Sequence, residues 1–322
     1  MRFLVTGGAG FIGSNIVEAL LKEGHFVRVL DNFHTGKREN LSFVKDLVPK
    51  GPGPELFELI EGDIRDKSAC DNACAGIDYV FHQAALRSVP GSIKDPDSYN
   101  AVNIQGTLNM LQAALKNKVK RFVFASSSSI YGDTDKFPQR ETDLPRLISP
   151  YALSKLTGEY YCRIFSEIHG LETVCLRYFN VFGPRQALDD EYAVVIPKFI
   201  HCILNNQQPP IFGDGRQSRD FVYIENVVQA NLLAATSPLS TPHLVLNVAS
   251  GKDTTILELV RLINEITGKG IPPLFLAKRP GDVYKTIADI SAIKKALGKG
   301  PQISFKEGLR RTIEFWKEAP QK

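Results

Sequence analysis

The sequence is poor in the residues that tie a chain together covalently. Five cysteines (70, 74, 162, 175 and 202) are an odd number, and no two have C-x-x-C spacing. That argues against a disulfide framework and fits a reducing cytosol, with the thiols as small buried hydrophobes. No metal site is expected. No run of about 18 apolar residues occurs, so no membrane span or membrane partner is expected. Like-charge blocks, internal repeats and low-complexity tracts are absent as well. The formal charge of +4 is small and mixed along the chain. It gives no case for nucleic acid, although it suits an anionic small molecule. Met1–Thr6 enters a strand-like run at once, which leaves no room for a signal peptide, and a cytoplasmic protein is expected.

What is present reads as an ordinary soluble protein, 43% hydrophobic and 23% charged. A length of 322 residues suggests two lobes. Residues 2–6 form a short apolar run ending in Gly7-Gly8-Ala9-Gly10-Phe11-Ile12-Gly13. A helical pattern follows, with Ile16, Val17, Leu20 and Leu21 at three- and four-residue spacing, stopping near Gly24. Phe26–Leu30 then reads as a buried strand, which closes a βαβ unit. In such a unit Gly7 permits a tight turn, Gly10 lets backbone approach a pyrophosphate, and Gly13 lets the helix pack close to the strand. The helix N-terminus aims N–H donors at phosphate. Asp31, at the end of the second strand, can accept from both ribose hydroxyls and would repel a 2′-phosphate, which favours NAD over NADP. Lys37 and Arg38 lie nearby.

Further along, residues 45–53 read as a surface loop. Phe57–Ile60 is a strand leading to Asp63, either an acceptor for an adenine amino group or a turn aspartate. Tyr79–Phe81 ends in His82-Gln83-Ala84-Ala85, small residues that let a flat ligand approach the sheet crevice. Residues 105–115 form a helix, and Arg121–Ala125 a strand running into Ser126–Gly132. Thr173–Leu176 is a further strand. Beyond it the β–α alternation breaks down, as a smaller ligand-covering lobe would require. Residues 225–235 and 255–267 are helical, and Ile287–Asp289 begins a last strand-helix region.

Ser149-Pro150-Tyr151-Ala152-Leu153-Ser154-Lys155 draws the rest together. Ser149 is suited to cap a helix and Pro150 to its first turn, and Gly170 is suited to end it. Tyr151 and Lys155, four apart, share one helix face. A free tyrosine titrates near ~10, so making it a base at neutral pH takes roughly 4 kcal/mol of preference for the phenolate. A lysine ammonium in a dry cleft is one source of that preference. Gly158 and Cys162 fall on the same stripe, whereas Leu153, Tyr160, Ile164 and Ile168 lie on the opposite one. A partner subunit, giving a homodimer, is expected to cover the second stripe.

Taken together, Thr6–Gly13, Asp31-Asn32, Gly62–Asp66, His82–Ala85, Ser126–Gly132, Tyr151–Lys155, Arg177–Asn180 and Arg279-Pro280-Gly281-Asp282 resemble the extended short-chain dehydrogenase/reductase superfamily. Within it the chain is similar to the UDP-sugar 4-epimerases. Val89-Pro90, residues 177–186 and residues 192–198 look most like the branch that handles UDP-N-acetylhexosamines. The resemblance implies an α/β fold, with a Rossmann-type doubly wound parallel sheet and a smaller C-terminal α/β lobe for substrate. An NAD-binding domain would span residues 1–179, with residues 222–250 returning to it, and a UDP-sugar domain residues 180–322.

It also implies roles. Tyr151, as phenolate, takes the proton of the sugar 4-hydroxyl while hydride passes from C4 to NAD⁺, and the 4-keto sugar turns over and is reduced on its other face. Lys155 supports the phenolate and the nicotinamide ribose. Ser127, or its rival Ser128, bonds the 4-oxygen. Cofactor contacts fall to Gly7, Gly10, Phe11, Ile12, Gly13, Asp31, Asn32, Asp63, Ile64, Gln83, Ala84, Ala85, Asn103 and Tyr178, with Arg87 of open role. Substrate contacts fall to Ser88, Ser127, Ser128, Asn180, Val194, Val195, Arg219, Arg279, Asp282 and Thr286. The two arginines are planar forks suited to diphosphate. Thr286, where hexose-restricted relatives tend to carry tyrosine, leaves room for an N-acetyl group, and such a difference readily changes discrimination by about 1–3 kcal/mol. The implied activity is therefore UDP-GlcNAc/UDP-GalNAc 4-epimerisation, extending to UDP-glucose and UDP-galactose. The alternatives are a UDP-glucuronate 4-epimerase, a UDP-glucose-only enzyme, or an NAD(H)-sensing regulator without catalysis.

Overall fold

The structure, a computed structural model, describes residues 1–48, 56–187, 195–278 and 283–318. Its strands are β1 (Arg2–Thr6), β2 (Phe26–Asp31), β3 (Phe57–Glu61), β4 (Tyr79–His82), β5 (Arg121–Ser127), β6 (Glu172–Tyr178), β7 (Asn180–Phe182), β8 (Pro210–Phe212), β9 (Ser218–Tyr223), β10 (His243–Val248), β11 (Asp253–Thr255) and β12 (Leu274–Leu276). The helices are α1 (Phe11–Lys22), α2 (Val44–Leu47), α3 (Lys67–Cys74), α4 (Val89–Lys94), α5 (Pro96–Tyr99), α6 (Gly106–Lys116), α7 (Pro150–His169), α8 (Val195–Leu204), α9 (Ile224–Thr236), α10 (Ile256–Thr267), α11 (Ser291–Leu297) and α12 (Phe305–Glu318).

Seven strands form one parallel sheet in the order β10-β6-β5-β4-β1-β2-β3. Alternate residues of a strand face opposite sides, so β1 sends Phe3 and Val5 into one apolar core and Leu4 into the other. The first core is filled by Ile16, Val17 and Leu20 of α1 and Val227 of α9, the second by Cys70, Met110 and Cys162 of α3, α6 and α7. With both faces covered, β1, β2 and β5 are buried almost throughout, as parallel strands require. Strand order reverses between β1 and β4, which opens a crevice at the carboxyl ends of these two strands.

The rest of the chain supplies two small sheets, β11-β9-β7 and β12-β8. The segment after β9 crosses back: α9 lies against α1, and β10 adds the outermost strand beside β6. Three expectations need correction. Residues 45–53 are not all loop, because Val44–Leu47 form a helical turn. Residues 287–289 form no strand; Ala288 makes a single bridge to Gln139, and its N–H donates to the Asp220 carboxylate instead of to a neighbouring strand's backbone. The long helix begins one residue late, at Gly106, after a π-helical stretch at Asn100–Gln105.

Two helices lie outside the expected pattern. α8 is apolar nearly all round, and periodicity does not separate such a segment from a buried strand. α12 buries only Gly308, Leu309, Thr312 and Ile313, a narrow stripe among charges.

Candidate active site

The crevice begins at the glycine loop. Gly7 has φ +67°, and a Cβ there would lie 2.8 Å from the Ala84 backbone nitrogen. A Cβ on Gly13 would lie 2.2 Å from the Gly7 carbonyl oxygen, so α1 meets β1 only because both residues are glycine. Gly10 stands at the N-cap of α1 and has no side chain to occupy the first-turn N–H groups. They face the crevice and are available to an anion.

A cavity of about 630 Å³ opens there. Gly7, Gly10, Phe11, Ile12, Gly13, Asp31, Asn32, Asp63, Ile64, Gln83, Ala84, Ala85, Arg87, Tyr151, Lys155 and Tyr178 all line it. Asp31 is oriented by Ala9 N–H (2.9 Å) and Phe33 N–H (2.8 Å), and burial raises its pKa against the pull of those two bonds.

Asp63 differs from the expected free acceptor. One oxygen accepts from the Arg65 backbone N–H and Nε, the other from Arg65 Nη2 and Asn32 Nδ2. Chiefly through the Arg65 bond, its pKa falls to about 2. An adenine amino group would have to displace one of these donors, so the turn reading describes the residue as it stands.

Asn103 differs too, because it does not line the cavity. Its Nδ2 donates to the Leu86 carbonyl (2.9 Å) and Ser154 Oγ (3.0 Å), and its Oδ1 accepts from Leu86 N–H (2.8 Å). Every polar atom of the amide thus pins the cavity wall to α7. His82 is buried and neutral, its pKa lowered to about 3 by burial and by the Lys155 charge. Thr6 and Thr107 hold its ring from either side (2.8 and 3.0 Å), so it is a structural link between strands and helix.

α7 carries the reactive pair. Ser149 caps it through Ala152 N–H at 3.1 Å, and Gly170 ends it in a left-handed turn. Tyr151 is half-buried, lies beside the Ser127 hydroxyl, and meets the edge of the Tyr99 ring with centroids 6.4 Å apart. Burial pushes its phenol above the usual tyrosine value, while the Ser127 hydroxyl and the Arg87 charge pull it back. Lys155 is buried, and desolvation lowers its pKa to about 8, so it remains largely an ammonium at neutral pH. Its Nζ donates to the Ala125 carbonyl at 2.8 Å and lies 5.9 Å from the Tyr151 ring centroid. Of the two candidate serines, Ser127 reaches Tyr151; Ser128 starts the 3₁₀ turn Ser128–Tyr131.

None of the described residues assigned to substrate is in the wall of this cavity. Asn180 Nδ2 donates to Thr286 Oγ1 at 3.2 Å, and Thr286 N–H to the Ser218 carbonyl at 3.2 Å, next to Arg219. Arg219 Nη1 donates to the carbonyls of Ser218 and Tyr284. Val195 opens α8, and Ser88 caps α4 through Gly91 N–H at 3.0 Å. Val194, Arg279 and Asp282 lie outside the described residues.

Some cavity features have no counterpart in the sequence reading. Asn231, a polar residue on an otherwise apolar face of α9, joins Tyr178 (2.9 Å) and Gln83 (3.2 Å) in a buried triangle. Its position in that face was the available signal. Arg185, at φ +68°, ties the loop after β7 to Asn15 and Glu18 of α1 (2.6 Å each), and Phe315 and Trp316 of α12 complete a wall. No cluster suited to a metal and no helix long and apolar enough to cross a membrane occurs among the described residues.

Residues 3–249 match the model of the NAD dependent epimerase/dehydratase family. The chain belongs to this family. A putative UDP-glucose 4-epimerase of Methanocaldococcus jannaschii is 38% identical over 316 residues, 98% of each chain. Among solved structures, the UDP-N-acetylglucosamine 4-epimerase of Methanobrevibacter ruminantium, in complex with UDP-N-acetylmuramic acid, is 42% identical over 98% of both chains, with a TM-score of 0.90. The UDP-glucose 4-epimerase of Thermotoga maritima, with UDP-glucose, is 38% identical over the whole of both chains, with a TM-score of 0.91.

The family cofactor, NAD, suits the cavity on the structure's own terms. The glycine cradle and uncapped α1 N-terminus fit a pyrophosphate, and Asp31 stands where a ribose diol would meet it.

Proposed function

We propose that this isomerase, an NAD-dependent UDP-sugar 4-epimerase, interconverts UDP-GlcNAc and UDP-GalNAc through a transient 4-keto sugar and also accepts UDP-glucose and UDP-galactose. The observation that carries the chemistry is Tyr151, beside the Ser127 hydroxyl and one helical turn from Lys155, at the edge of a cavity built on a glycine loop. Tyr151 takes the proton of the sugar 4-hydroxyl and returns it to the other epimer. Ser127 holds the 4-oxygen during the exchange, and Lys155 keeps a positive charge on the same helix face. Bound NAD supplies a place for the C4 hydride to rest between the two steps. Since the hydride returns, no net redox change occurs.

The N-acetyl preference is supported by Thr286, whose short side chain beside Asn180 leaves space that a larger residue would fill. A second reading, UDP-glucuronate, rests on Arg87, an exposed cavity residue whose charge reaches Tyr151. Residues 1–179, with 222–250, serve the nucleotide, and 180–322 serve the UDP-sugar. A cytosolic setting fits five unpaired, buried cysteines. A homodimer is supported by Leu153, Tyr160, Ile164 and Ile168, exposed along one stripe of α7.

The test is to incubate pure protein, without added cofactor, separately with UDP-GlcNAc, UDP-glucose and UDP-glucuronate. The N-acetyl pair should interconvert fastest. If no 4-epimer formed from any of the three, the reading would be lost; fastest turnover of the uronate would select the second reading.

A further inference from the structure

α7 grips the end of β5 at three successive residues. Tyr151 lies beside the Ser127 hydroxyl, Lys155 Nζ donates to the Ala125 carbonyl, and Glu159 Oε1 accepts from Ser126 Oγ at 2.5 Å. The three helix residues are four apart and so share one face. Gly158 permits this closeness, because a Cβ there would lie 2.3 Å from the Phe124 ring.

Glu159 is itself fixed. Arg177 of β6 forms a two-pronged bond to it (Nε to Oε1 2.9 Å, Nη2 to Oε2 2.8 Å), with both side chains about 5% exposed. Arg177 Nη1 then donates to Tyr131 Oη at 3.0 Å, and Tyr131 donates to Asn247 Oδ1 at 2.6 Å. The serine turn is thereby held at both ends, Ser126 by Glu159 and Tyr131 by Arg177.

We propose that Glu159 is a positioning residue for the epimerase reaction: with Arg177 it holds the Ser126–Tyr131 turn so that Ser127 meets the Tyr151 phenol. The Ser126 hydroxyl proton is committed to Glu159, so at the cavity wall Ser126 offers only lone pairs. It accepts hydrogen bonds there and cannot compete with Ser127 as a donor to the phenolate. This inference rests on the epimerase reading for its consequence but not for its geometry.

The groups facing Tyr151 are Arg87, Lys155, Tyr99 and Ser127; those facing Glu159 are Arg177, Ser126, Cys175 and His243. Loosening the turn moves away the Ser127 hydroxyl, which favours the ionised phenol, and leaves the Arg87 and Lys155 charges in place. A merely structural role for Glu159 would not alter how Tyr151 titrates in the folded protein.

The experiment is an ultraviolet titration of tyrosinate in the NAD-loaded protein. The corresponding Tyr151→Phe curve is subtracted to isolate one of ten tyrosines, and kcat and KM are measured alongside. Ser126→Ala removes one bond and leaves the Glu159–Arg177 pair intact; Glu159→Gln breaks the pair. In both, Tyr151 should titrate higher, by about one unit. At neutral pH, kcat should drop about tenfold with KM within about twofold. If Glu159→Gln fails to fold, Ser126→Ala alone decides. A Tyr151 titration matching the parent in Ser126→Ala would overturn the proposal. A shifted titration in a protein that epimerises no UDP-sugar would instead uphold the positioning and refute the assigned reaction.

Discussion

Lys155→Met should make the protein more stable and inactive. The ammonium is 4% exposed, and its pKa falls from the ordinary 10.5 to about 8 through desolvation alone. That drop corresponds to roughly 3 kcal/mol against the charged form in the native state. The bond to the Ala125 carbonyl offsets about 1 kcal/mol of it. Replacement by a methionine of similar length should therefore add roughly 2 kcal/mol at pH 7. For a chain of this size that is a rise of about 3 °C in Tm.

The sign has a pH signature. Between about 8 and 10.5 the native lysine has lost its proton while the unfolded chain still holds one, so the stability of the parent rises with pH across that window. The variant lacks the lysine and should lack the rise, and the two should converge towards pH 10. Thermal unfolding of nucleotide-stripped parent and variant at intervals from pH 7 to 10 measures this. A variant less stable than the parent at pH 7, or a gap that stays constant with pH, would refute the desolvation argument.

Tyr151→Phe should keep the fold and bound NAD yet lose at least about 100-fold in kcat, the scale of general acid–base help; near-normal turnover would remove Tyr151 as the base. Gly13→Ala should cost about 1–3 kcal/mol and release the cofactor, because its methyl would meet the Gly7 carbonyl; retained NAD absorbance after dialysis would contradict the close-packing account. Ile164→Lys, on the exposed α7 stripe, should halve the mass measured by light scattering while leaving the helix content of the chain unchanged.

The parts of the site legible in sequence were those set by short-range chemistry. Gly7, Gly10 and Gly13 announce a turn and a close approach, and Ser149, Pro150 and Gly170 bound a helix whose face then follows from its period. Asp31 could be placed because it ends a strand immediately after that unit. The parts that were not legible depend on segments far apart in the chain. Nothing local says that Asn231 will meet Gln83 and Tyr178, or that Asn103 will spend its amide on Leu86 and Ser154 instead of facing the cavity. Asp63 was ambiguous for a different reason: its partner Arg65 is only two residues on, but the spacing does not say whether that side chain folds back onto the carboxylate or points to solvent. Arg177 sits in a recognisable motif and Glu159 two turns beyond Tyr151 on the same helix, but their pairing becomes visible only once α7 is laid across β6.

The wall formed by Phe315 and Trp316 bears on the order of events during synthesis. The glycine loop is translated some three hundred residues before the aromatic part of the same cavity wall. A nascent chain can assemble its first βαβ unit early, since domains form from the N-terminus onward, but it meets NAD with one side of the cleft still open. Firm retention of the nucleotide should therefore wait for α12 to dock, so that loading with cofactor couples two segments made far apart in time.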